Sequence, residues 1–224
     1  AVLLSMTFCG VTSAQEVNMP GFKLVNKFEE CAPCNEVGWT RWIDGPYLYE
    51  NGDFLPRFYF VKNAVLLIGE NTPSEEFIYS ILLNKNFNPK TTVLIQGPHN
   101  KVNEYDINFL KKFNAIILTG TSIDQNSLQL LKQYGDSGGR IFPDILNNEN
   151  ALDISVISAI ENFLGSLKGD LTEVDSKAIS VNEIELMPKN TGFLVLSERF
   201  SGFEGWSAEK DGRNMDILKA DNII

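Results

Sequence analysis

Apolar and polar positions divide the chain into three stretches. Up to about residue 60 the pattern is short-ranged and broken by turn signals, MPG at 19–21, DGP at 44–46 and NGD at 51–53, which predicts short strands and loops. From residue 63 solid apolar runs alternate with amphipathic ones. AVLLIGE (64–70) reads as a buried strand closed by Gly. TPSEEFIYSILLNKNF (72–87) then places Thr, Pro and two Glu in the order of a helix start, with apolar residues at 77, 78, 81 and 82. The unit recurs as TTVLIQG (91–97) with YDINFLKKF (105–113), and as AIILTGT (115–121) with DQNSLQLLKQYGDSGG (124–139). A fourth strand, RIFPDI (140–145), and a helix SVISAIENFLG (155–165), closed by Gly165, complete the stretch. Strands that alternate with helices require a parallel sheet covered on both faces. The expected fold class is therefore α/β, with a flavodoxin-like three-layer unit over 62–168.

Beyond residue 170 strand signals return. KAISVNEIELMP (177–188), TGFLVLSERF (191–200), GWSAEKDG (205–212) and RNMDILKA (213–220) read as antiparallel strands, with DGR at 211–213 as a tight hairpin turn. The β material at 1–61 and 169–224 is expected to form one mainly antiparallel module into which the α/β unit is inserted.

Composition narrows the chemistry. Hydrophobic residues make up 43% of 224, enough for a packed core. Asp and Glu outnumber Lys and Arg 29 to 19, so the averaged field repels nucleic-acid backbones and no nucleic-acid partner is expected. One His and three Cys cannot complete the common four-ligand zinc sites, and no metal and no cofactor are expected. No apolar run approaches the roughly 20 residues of a membrane helix, so this stretch is expected to be soluble. The opening AVLLSMTFCGVTSAQ (1–15) is either a strand or the apolar half of a signal segment ending in small residues. The missing initial Met and the apolar ending ILKADNII (217–224) are those expected of a chain that continues on both sides.

The tail GFLVLSERFSGFEGWSAEKDGRNMDILKADNII resembles a segment of multi-pass membrane proteins of the glycosyltransferase type, the YfhO-like family and relatives of the oligosaccharyltransferase catalytic subunit. The resemblance is carried by Leu194, Val195, Leu196, Ser197, Glu198, Gly205, Trp206, Ala208, Asp211, Gly212, Ala220 and Asp221. NGDFLPRFYFV (51–61) is similar to the segment that precedes it in such proteins. Phe203, Glu204 and Gly205 stand where that family has Pro-Gly before the Trp. The resemblance implies a domain on the extracytoplasmic face of the cell membrane, with the membrane portion of its parent protein and a glycan or lipid-linked sugar as partners. It carries no catalytic residue onto this chain. FNAIILTGTSIDQNSLQLLKQYGDSGGRIFPDI resembles the class I glutamine amidotransferase-like domains, including the ThuA-like branch. No Cys lies in 62–168, so that resemblance implies the scaffold without its triad.

Ligands of open parallel sheets sit beyond the carboxyl ends of the strands. That edge collects Glu70, His99, Ser122, Asp124 and Asp144, which serve either as ligand-binding groups or as solvated loop residues and helix caps such as Asp124. Glu70 and Asp144 are the pair that acid–base chemistry on a sugar would use. Trp39 and Trp42, near Tyr47 and Tyr49, form either a packing cluster or a stacking platform for sugar rings. Three roles follow for the chain: a non-catalytic accessory domain of a membrane protein handling glycans or lipid-linked sugars, a carbohydrate-active or amidotransferase-like hydrolase, or a protein-interaction domain.

Cys31 and Cys34, in CAPC, have the two-residue gap of redox motifs, but Pro33 and the following CNEVGW favour a loop. A local disulfide, two reduced thiols, or a redox or metal pair fit the spacing; the disulfide is the reading pursued, with Cys9 free. Alkylation of the unreduced protein should then modify one cysteine, and after reduction all three. Three alkylated cysteines without reductant would exclude the disulfide.

Overall fold

The computed structural model describes residues 22–27, 47–51, 54–69, 81, 86–143, 153–180, 182–189, 191–197 and 206–220. The chain divides into two compact units, Ala1–Leu55 and Pro56–Ile224. In the first, β1 (Phe22–Lys27) pairs antiparallel with β2 (Tyr47–Asn51). Its register shifts between Leu24 and Asn26, a bulge that leaves Val25 outside the pairing.

The second unit is built on a four-stranded parallel sheet. Its strands are β4 (Asn63–Gly69), β5 (Thr92–Gln96), β6 (Ala115–Thr119) and β7 (Arg140–Phe142), in the spatial order β5-β4-β6-β7. The first strand thus lies between the second and the third, the doubly wound order of flavodoxin-like sheets, and the fold class is the α/β class read from the sequence. Every residue of β4 and β6 is buried, the pattern of strands covered on both faces.

Alternation assigns the two faces. Val65, Leu67, Leu94, Ala115, Ile117 and Phe142 point one way and pack with Ile81, Phe87, Ile160 and Leu164 into one core. Ile160 and Leu164 come from α3 (Ile154–Ser166), whose N-terminus is capped by Asp153. Leu66, Ile68, Ile95 and Ile116 form the opposite face and are equally buried. Right-handed crossovers place the connections β5 to β6 and β6 to β7 on that side. These carry a 3-10 turn (Val102–Glu104), α1 (Ile107–Leu110) and α2 (Gln125–Asp136), which bury Val102, Leu110, Leu131 and Tyr134.

Several local expectations are corrected. The helix expected over 105–113 is a single turn, because Lys111 already caps it and Asn114 N donates to Ala64 O (2.9 Å), drawing the chain into the sheet. Gly165 does not end α3. It lies in the last helical turn, and the chain leaves through Leu167 in an extended conformation. The stretch 177–188 is not one strand: β9 (Asp175–Ser180) and β10 (Glu183–Met187) pair with each other, and Asn182 N donates to Ser180 Oγ (3.3 Å) in the reversal. Most of the helix expected over 72–87 lies outside the described residues, although Ile81 is helical and fully buried.

The antiparallel material of this unit occurs in three pieces. β3 (Phe58–Val61) runs almost directly into β4 and sits at the centre of a three-stranded sheet, between β8 (Thr172–Glu173) and β11 (Phe193–Leu196). The second piece is the β9–β10 hairpin. The third pairs β12 (Ala208–Lys210) with β13 (Arg213–Met215) across Asp211 (φ 52) and Gly212 (φ 73). Two consecutive positive φ values define a type I′ turn, the geometry Asp-Gly favours, as expected at 211–213. Beyond it Lys219 O accepts from Gln96 N (3.0 Å), and Ala220 bridges Ile95 antiparallel at the free edge of β5.

At the amino edge of the parallel sheet one buried amide joins three segments. Asn63 Nδ2 donates to Thr91 O (2.9 Å), just before β5, and to Lys168 O (3.1 Å), just after α3. Asn63 is 8% exposed. Asn114 Oδ1 accepts from Ala64 N (2.9 Å) beside it.

Ile117 is fully buried in the core beneath α3. Ile117→Ala is expected to lower unfolding free energy by about 3 kcal/mol, the transfer and cavity cost of such a truncation. Urea denaturation followed by circular dichroism measures it, and a loss below about 1 kcal/mol would mean that this core is not close-packed.

Candidate functional site

Loops after β5 and β6 form the described part of the carboxyl edge. Gly97 ends β5, and its N–H donates to Leu67 O (2.8 Å). An added Cβ there would meet Leu67 O at 2.9 Å and collide with the Tyr105 hydroxyl, so glycine allows that hydroxyl to close on the loop. Tyr105 Oη accepts from His99 N (2.9 Å) and donates to His99 O (2.5 Å), so a single hydroxyl satisfies both backbone groups of His99. Tyr105 is 7% exposed, and its burial pushes the phenol up to about 12. The hydroxyl therefore keeps its proton across the physiological range.

The His99 ring meets the Tyr105 ring edge-on at 5.3 Å. Below it Tyr105, Phe109 and Phe113 recur every fourth residue with centroid separations of 5.6 and 5.2 Å, and Phe113 reaches Phe193 of β11 at 5.5 Å. A row of aromatic rings thus runs from the carboxyl edge to the antiparallel sheet.

The second loop is tied to the first. Thr121 Oγ1 donates to Asn100 O (2.7 Å), and Asn103 Nδ2 donates to Asp124 Oδ2 (2.7 Å). Asp124 Oδ1 accepts from Ser127 N (2.7 Å), capping α2. Hydrogen bonds from Ser127 and Asn103 hold the Asp124 carboxyl below its ordinary range. Ser122 and His99 are exposed, and among the described residues neither is hydrogen-bonded to Asp124. The structure therefore brings His99, Ser122 and Asp124 to the expected edge without joining them in a proton relay. Glu70, Asp144, Trp39, Trp42, Cys31 and Cys34 lie outside the described residues. Among the described residues no three His, Cys, Asp or Glu side chains gather as metal ligands, and no helix is long and apolar enough to cross a membrane.

A groove of about 720 Å³ lies at the opposite, amino edge of the sheet, lined by Lys111, Asn114, Arg140, Asn162, Phe163 and the turn at 137–139. Sequence reasoning missed it because the general rule for open parallel sheets directs attention to the carboxyl ends. The available signals were the Lys-Lys pair ending α1 and the Gly-Gly-Arg that opens β7. Tyr134 forms part of its wall, with the hydroxyl buried and donating to Phe113 O (3.1 Å).

No protein-family model, curated protein or solved structure matches the chain.

Since the folded-state pKa of Asp124 is depressed, its stabilisation is present above the unfolded value of about 3.9 and is lost as pH falls through the lower folded value. Asp124→Ala should lower Tm at pH 7, and the gap from wild type should stay constant down to about pH 5 and close towards pH 2. Thermal melts across that range test this; a gap independent of pH would mean that the carboxylate charge plays no part in the cap.

Proposed function

We propose that the chain is a non-catalytic accessory domain of a membrane protein that handles glycans or lipid-linked sugars, positioned on the extracytoplasmic face. The observation that carries the non-catalytic half of this reading is the state of Asp124. Each of its oxygens is engaged at 2.7 Å, by Ser127 N and by Asn103 Nδ2. Those bonds hold the carboxyl below its ordinary range, which makes it a weak proton acceptor, the opposite of what a general base needs. The backbone of His99 is likewise held by Tyr105, and Thr121 closes the gap between the loops. The described rim is thus organised to hold its own shape.

The sugar-handling half rests on the tail resemblance set out above. Two of its segments, residues 58–61 and 193–196, lie side by side as β3 and β11, with Phe193 opposite Val61 and Leu196 opposite Phe58. That pairing makes the resembling stretches neighbours in space, which supports treating them as one element of the parent protein.

Purified chain incubated with nitrophenyl glycosides and with L-glutamine should release neither nitrophenol nor ammonia above the blank. Turnover that falls by about a hundredfold in His99→Ala, with Tm unchanged, would overturn the non-catalytic reading and favour a hydrolase at the carboxyl edge.

A further inference from the structure

The groove at the amino edge has an unusual charge for this protein. The chain carries a formal net charge of -10, yet the described lining contains two cations, Lys111 and Arg140, and no carboxylate. Lys111 caps the end of α1, and Arg140 opens β7 opposite Ala115 in the sheet register. Both are exposed, and among the described residues neither has a carboxylate within ion-pair distance. Lys189 provides the contrast, since it takes Asp175 at 2.8 Å.

Other features of the groove favour an anion. The Arg140 guanidinium lies 5.6 Å from the ring centroid of Phe142, within cation–π range. The carbonyls at the end of α2 would repel negative charge if bare. Three of the last four are taken: Tyr134 O accepts from Ser137 Oγ (2.6 Å) and Gly139 N (3.2 Å), Gln133 O from Ser137 N (3.2 Å), and Gly135 O from Gly138 N (2.9 Å). Asn114 is committed to the sheet through Ala64 and Asn63. The side-chain donors that remain are Lys111 Nζ, the Arg140 guanidinium and the Asn162 amide, beside the half-buried ring of Phe163.

We propose that this groove binds a phosphate ester, with the phosphate between Lys111 and Arg140 and the organic group against Phe163 and Asn162. A planar guanidinium fork and an ammonium lining one groove suit a tetrahedral dianion, and the volume lies within the range of small-ligand sites, about 300–1,000 Å³. Choosing a sugar as the organic group rests on the accessory role proposed above. The phosphate chemistry itself rests only on the groove. Two sources present it, a soluble sugar phosphate and the headgroup of an anionic lipid.

The test is titration of the purified chain with glucose 1-phosphate, with glucose, and with vesicles of phosphatidylglycerol or of phosphatidylcholine. Binding is expected to glucose 1-phosphate or to phosphatidylglycerol, and not to glucose or phosphatidylcholine. Saturation by the soluble ester identifies a small-molecule site, and binding to the anionic vesicles alone identifies a headgroup site. Arg140→Gln should weaken the interaction about tenfold or more. Lys111→Gln, at an exposed position, should weaken it severalfold with Tm unchanged, which keeps the test decisive if Arg140→Gln does not fold. Absence of binding to both phosphate-bearing probes, or binding indifferent to both substitutions, would overturn the proposal. Neither result bears on the non-catalytic reading, which fails only on turnover.

Discussion

The side chain of Asn63 is the constraint on which the second unit depends. A buried amide must find partners or lose the full cost of its desolvation, about 1–3 kcal/mol for each group left unpaired. This one finds them in the segment entering β5 and the segment leaving α3. It therefore fixes the central strand β4 relative to both, while Asn114 fixes the start of β6 beside it. Once β4 is placed, its buried residues dictate which faces the helices must cover. The core of Val65, Leu67 and Ile117 beneath Ile160 and Leu164 is the consequence.

The two edges of the parallel sheet have been put to different uses. In the described part of the carboxyl edge three polar groups are taken up within the loops: the Tyr105 hydroxyl by His99, Thr121 by Asn100, Asp124 by Ser127 and Asn103. At the amino edge polar groups are consumed where they serve the sheet, as in Asn114, while Lys111 and Arg140 remain outside that network. Charge segregation of this kind is invisible in a net charge. An acidic chain whose average field repels anions still has a groove whose described lining carries two cations and no carboxylate.

Much of the α/β unit was legible because fully buried strands announce themselves as uninterrupted apolar runs. Ala64–Ile68, Val93–Ile95 and Ala115–Leu118 need no partner to be recognised, and Asp124 sits where a helix cap belongs. Exposed elements were less legible. β9 is exposed along its whole length, so no alternation of burial marks its end, and the reversal into β10 is carried by Asn182 rather than by Gly or Pro. His99, Ser122 and Asp124 were placed at the carboxyl edge by rule, but their hydrogen-bond partners could not be. Whether a carboxylate is free or spent depends on contacts such as Asn103 with Asp124, which are distant along the chain. The amino-edge groove was hidden for the same reason, since Lys111, Arg140 and Asn162 come from three separate elements, the end of α1, the start of β7 and the last turns of α3.

The adjacency of β3, β8 and the exit near Lys168 has a mechanical consequence. Val174 N donates to Phe58 O (2.9 Å), and Ser197 N donates to Arg57 O (2.9 Å), so two segments that follow the α/β unit are laced to the short strand that precedes it. The unit is a closed loop tied at its neck. Tension along the polypeptide would first peel the tail from its bridge at Ile95 and then pull at the end where Phe58 faces Leu196, opening the antiparallel pair from that end. The parallel sheet would remain slack until the neck gave way, sheltered from force by the strand that introduces it.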